Sequence, residues 1–103
     1  MDVNELQQAA EKWIDENQPR WSAWCAQIFD FAETAWREYR SSAFYVELLT
    51  KEGFEVEVGS AGMPTAFCAR WTNGDKSHGD GGPILGGYVE YDAIPGNCQA
   101  PVP

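Results

Sequence analysis

The chain has 103 residues, 44% hydrophobic and 14% aromatic, with 16 acidic against 7 basic side chains and a formal charge of −9. That length allows one domain, expected to remove roughly two-thirds of its unfolded surface from water and to build a core without staples. The acidity excludes an electrostatic binder of nucleic acid and disfavours anionic membrane surfaces, and a single His restricts metal and triad chemistry.

The amino terminus, from Met1 to Trp13, lacks the basic start and apolar run of a signal peptide. No stretch approaches the ~20 apolar residues of a membrane span. Cys25, Cys68 and Cys98 form no CxxC pair, so neither a zinc knuckle nor a thioredoxin-like redox motif is present. Cys25 and Cys68 have apolar sequence neighbours, where a reduced, buried thiol acts as a small hydrophobe. The expectation is a reduced, cytoplasmic protein.

Val3, Leu6, Ala10, Trp13, Ile14 and Asn17 recur at three- and four-residue steps and predict a first helix over about 3–17. Pro19 suits the first turn of a new helix, not a helix interior, so a second helix is expected over 19–31. Its stripe is Trp21, Trp24, Cys25, Ile28 and Phe29. A third is expected over 37–52, with Ala43, Val46, Leu49 and Tyr39 inward, and Gly53 as a left-handed cap onto which Phe54 folds back. Periodicity then switches to two. Phe54, Val56 and Val58 alternate with Glu55 and Glu57, predicting a strand over 54–58. A second strand is expected over 65–71. After the glycine-rich loop of 73–83, the apolar run from Ile84 to Val89 reads as a strand over 84–91 buried on both faces. Such a strand needs a layer on each side, so this order of elements resembles the front of a larger α/β domain.

Glu90-x-Asp92 at the end of that strand is the leading chemical candidate. Ligands in α/β sheets gather beyond the carboxyl ends of strands, and period two puts both carboxylates on one side. Paired acids bind divalent metal, orient a metal-bound imidazole or share a proton; the bland alternative is a cap or an ion pair. His78 lies in the loop of Asp75 to Gly82, which lacks the order of a calcium loop and any phosphate-binding glycine motif, so a solvated connection is the simpler reading. Cys98 with His78 as base would have to cross between loops without a local signature. Trp13, Trp21, Trp24 and Trp36 read as core or interface.

Three segments in order carry a resemblance: Glu33-Thr34-Ala35-Trp36-Arg37-Glu38-Tyr39-Arg40-Ser41-Ser42, then Gly53-Phe54-Glu55-Val56 with Gly62-Met63-Pro64-Thr65-Ala66-Phe67, then Glu90-Tyr91-Asp92-Ala93-Ile94-Pro95-Gly96. Together they resemble the amino-terminal part of metal-dependent amidohydrolases related to p-aminobenzoyl-glutamate hydrolase, within the aminoacylase and carboxypeptidase superfamily (peptidase family M-twenty). The last segment is the most specific. Phe31-Ala32 stand where the family commonly has His-Pro before the Glu.

The resemblance implies an α/β fold, with this chain supplying the helices and first strands of an incomplete, three-layer, zinc-peptidase-like catalytic domain over 1–103. It implies a parent that hydrolyses the amide bond of an N-acyl amino acid, a peptide or an aminobenzoyl-glutamate-like conjugate with one or two divalent ions, zinc or manganese. A His-x-Asp motif occupies the strand end in related enzymes. Here Glu90 takes the place of that His, so Asp92 alone carries over, orienting a metal-bound group, with Glu90 as an accessory candidate. The implied metal ligands lie elsewhere, so the chain alone is expected to bind no metal and to lack activity. No nucleic-acid or membrane partner is expected, and a homo-oligomer is compatible with the sequence. The alternative is a non-catalytic acidic interaction module that docks through its Trp-rich helices.

Overall fold

A computed structural model of the chain describes residues 2–74, 82–97 and 100, which fall into two units. One runs to Asp30 and includes residue 100; the other runs from Phe31 to residue 97.

The first unit is built on α1, Val3–Phe31. Asp2 and Glu5 start it reciprocally: the Glu5 N–H donates to Asp2 Oδ1 and the Asp2 N–H to Glu5 Oε2, each at 2.8 Å. This capping box satisfies two groups that a helix end leaves without partners. The helix does not stop near Asn17. It continues through Pro19, so the two helices expected over 3–17 and 19–31 are one. An interior proline costs about 3 kcal/mol, through a lost hydrogen bond and a ring clash. One ring contact spans the site and two more follow it. The Trp13 and Trp21 rings lie 5.2 Å apart, Trp21 and Trp24 5.0 Å apart, and the Arg20 guanidinium sits 4.6 Å from the Trp24 ring centre. The Trp13–Trp21 pair, at about 1 kcal/mol, bridges the proline, while Trp24 and Arg20 brace the turn that follows it. Asn17 Nδ2 also donates to the Trp13 carbonyl at 2.8 Å. Cys25, expected to be buried, is exposed on this helix as a free thiol.

The second unit places α2, Tyr39–Lys51, against the antiparallel pair β1, Glu55–Val58, and β2, Phe67–Arg70. The end of α2 forms as the sequence predicts. Gly53 takes φ +93°, its N–H donates to the Thr50 carbonyl, and the Phe54 N–H donates to the Leu49 carbonyl at 2.9 Å, the paired bonds of a Schellman cap. The inward face differs in part: Val46 and Leu49 are half-buried as expected, together with Phe44, Tyr45 and Leu48, while Ala43 and Tyr39 are exposed. In the sheet Val56 pairs with Ala69 and Val58 with Phe67, so these four share a face, and the Phe67 ring meets Tyr45 of α2. Glu57 and Arg70 share the opposite face, 3.6 Å apart.

Two expectations fail here. The segment 84–91 is not a buried strand: residues 82–90 join neither strand, and Ile84, Leu85 and Tyr88 are 97%, 93% and 91% exposed. A strand buried on both faces needs neighbours along its edges and a layer above and below. Two short strands and one helix provide neither. The expected core is missing for the same reason. Among the described residues no hydrophobic side chain is fully buried; the buried ones are Glu38, Ser41, Ser42 and Thr65. The result is a mixed α/β arrangement in which apolar contacts are partial and polar contacts are buried.

Continuity of α1 has a direct consequence. Pro19→Ala is expected to raise helical ellipticity and to stabilise α1 by up to about 3 kcal/mol, read by circular dichroism on heating. Unchanged or reduced helicity would indicate two helices with the proline in a first turn.

Candidate functional site

Glu33 is the junction of the second unit. It follows the end of α1, where Ala32 takes φ +47° and turns the chain. Its carboxylate then reaches forward to the start of α2. Oε1 accepts from the Ser41 N–H at 2.7 Å and the Ser41 hydroxyl at 2.8 Å, and Oε2 accepts from the Arg40 N–H at 3.0 Å. A carboxylate on the free N–H groups of a helix start satisfies them and complements the helix dipole. Burial pushes the Glu33 carboxyl upward, but these hydrogen bonds and the Arg40 charge prevail and hold it below the ordinary glutamate value. The Glu33 main chain works in the opposite direction: its carbonyl accepts the Ala93 N–H at 2.7 Å, beside the parallel bridge between Thr34 and Ala93.

Glu38 precedes α2 and is buried. Its Oε2 accepts from the Thr65 hydroxyl at 2.7 Å and its Oε1 from the Trp36 N–H at 2.9 Å. The Thr65 hydroxyl lowers its pKa most; burial opposes, the Glu38 and Trp36 N–H groups help, and the charge of Glu33 works against them, for a net value below the usual range. The Thr65 carbonyl accepts from the Tyr91 hydroxyl. Tyr91 lies among Tyr45 and Phe67, at ring separations of 5.5 and 5.9 Å. Burial first, then the charge of Glu38 and Tyr45, raises its pKa, which keeps the phenol a donor.

Glu90 and Asp92 flank Tyr91 and line an open pocket of ≈ 270 Å³ with Trp36, Glu38, Met63 and Thr65. The structure therefore brings the two predicted site residues to one pocket while the residue between them turns into the aromatic cluster. Both carboxylates are exposed. As a metal centre the residues do not suffice. Among the described residues no three potential ligands gather, and the Glu38 carboxylate, third in the pocket, already accepts on both oxygens. His78, Cys98 and the Asp75 to Asp80 loop lie outside the described residues. Cys68 is free and half-buried.

Glu33, Glu38 and Thr65 escaped the sequence reading as site residues. The signal was there for the first two: acids just upstream of an apolar helix, with Ser41 and Ser42 following, mark a helix start. Thr65 lies 27 residues from Glu38, and no local pattern links them.

Comparison with known proteins gives an informative likeness. The chain is 29% identical over 97 residues to one of the subunits of the p-aminobenzoyl-glutamate hydrolase of Escherichia coli (strain K12), an alignment covering 94% of this chain and 19% of that protein. The chain thus spans about a fifth of the length of that curated relative. No family model matches the chain, and no solved structure matches it significantly. The likeness extends to a hydrolase-related segment and no further. No helix among the described residues is long and apolar enough to cross a membrane.

The two glutamates set the acid response. Both pKa values are lowered from the ordinary glutamate value, so their stabilisation is complete above it and is lost as pH falls through the folded values. The thermal midpoint is expected to drop as pH is lowered below about 4.3, and Glu38→Gln is expected to flatten that dependence.

Proposed function

We propose that this chain forms the amino-terminal part of the catalytic domain of a metal-dependent amidohydrolase, and that Asp92 is its contribution to the reacting site. The observation that carries the reading is the place of Asp92. It stands at a pocket beside Glu90, between Tyr91 and Ala93, which are both fastened to the α2 unit. The likeness to a hydrolase component across 94% of the chain supports the same reading. The substrate class is an N-acyl amino acid, a peptide or an aminobenzoyl-glutamate-like conjugate. Zinc or manganese belongs to the remainder of the parent, with Asp92 orienting a metal-bound group there. The exposed run of Ile84, Leu85 and Tyr88 is then the edge on which that remainder completes the sheet. The cytoplasm suits two free thiols at Cys25 and Cys68.

A second reading, a docking module, draws on the apolar residues of α1, where Val3, Leu6, Trp13 and Ile14 are each more than half exposed. Activity of a chimaera with the Escherichia coli protein favours the catalytic segment, and a folded chimaera without activity favours the module.

The chain alone is expected to release nothing from p-aminobenzoyl-glutamate with zinc or manganese present. A chimaera in which the chain replaces the aligned segment of the Escherichia coli protein is expected to be active with its partner components, and Asp92→Asn to lower its rate roughly 10- to 100-fold. A folded but inactive chimaera, or full activity in Asp92→Asn, contradicts the proposal.

A further inference from the structure

We infer that Glu38, Thr65 and Tyr91 form a clamp that holds Asp92 at the pocket, which makes them positioning residues for that carboxylate. The inference builds on the role proposed for Asp92. The segment leading to it does not set its position, because residues 83–90 are exposed and pair with no strand. Position is set from the two sides. On one, the Tyr91 ring packs against both Tyr45 and Phe67 and its hydroxyl donates to the Thr65 carbonyl. On the other, the Ala93 N–H donates to the Glu33 carbonyl at 2.7 Å.

Thr65 links the first anchor to α2. Its carbonyl receives Tyr91 while its hydroxyl, 7% exposed as a residue, donates to Glu38 Oε2 at 2.7 Å. Glu38 in turn is held by the Trp36 N–H at 2.9 Å, with Trp36 in the left-handed region at φ +68°. Bulky residues seldom adopt that conformation, and here it aims the amide at the carboxylate. Each donor in the path has one acceptor and the acid accepts twice, which only its ionised form does without turning an O–H toward a donor. The path runs from the helix start to the residue next to Asp92. Displacing any member frees the Asp92 backbone on that side and leaves the Ala93 bond as its remaining tie.

The test is amide hydrogen exchange in the 103-residue protein, followed by NMR, for Thr65→Val and Tyr91→Phe. The Ala93 amide is expected to exchange roughly 10-fold faster in both variants, as loss of one hydrogen bond implies, with amides inside α2 such as Leu48 and Leu49 unchanged. Thr65→Ser, which keeps the hydroxyl, is expected to restore protection. Unchanged Ala93 exchange in both variants overturns the clamp. If Thr65→Val also exposes α2, Tyr91→Phe decides alone, since it leaves the Thr65–Glu38 bond in place. A clamp that passes this test beside an Asp92→Asn chimaera of full activity locates the error in the functional reading and leaves the clamp standing.

Discussion

One residue, Glu33, joins the two parts of the second unit on which everything else depends. Its carboxylate closes the open start of α2 by accepting from the Arg40 and Ser41 amides. Its carbonyl holds Ala93. A helix start presents several N–H groups with no partner inside the helix, and leaving them unmet near a half-buried surface is costly. Satisfying them with an acid from outside the helix fixes the geometry of the 33–38 turn. That turn then sets Glu38, Thr65, Tyr91 and the acids beside it.

This unit inverts the usual division of labour between apolar core and polar surface. Among the described residues its buried ones are an acid, two serines and a threonine, and its apolar side chains are half-buried or exposed. Buried polar groups stabilise a structure only when every partner is present, because an unmet one costs more than a met one contributes. Such an arrangement is specific in geometry and modest in strength. The three rings of Tyr45, Phe67 and Tyr91 supply the main apolar patch beside it. The exposure of Ile84, Leu85 and Tyr88 marks where further burial is still to be had.

Local chemistry was legible in the sequence and distant pairing was not. Gly53 and Phe54 announce the end of α2 because a left-handed cap is a property of three or four adjacent residues. The alternation of Glu55 to Val58 gives β1 for the same reason. Pro19 misleads, because the tryptophans that hold the helix across it lie on both sides of the site and their contact is visible only in three dimensions. The apolar run after Pro83 shows that burial is wanted without showing where the burying partner lies. Glu90 and Asp92 line one pocket, although the strand from whose period they were read as a pair does not form. Glu38 and Thr65 were not, since their bond crosses 27 residues.

The central claim is that Asp92 is held in place through the Glu33 backbone and not by a strand of its own. A through-hydrogen-bond NMR correlation between the Ala93 amide nitrogen and the Glu33 carbonyl carbon reads that tie directly. The structure predicts a cross-peak at this pair. Its absence, with the Ala93 amide exchanging as an exposed one does, would contradict the account.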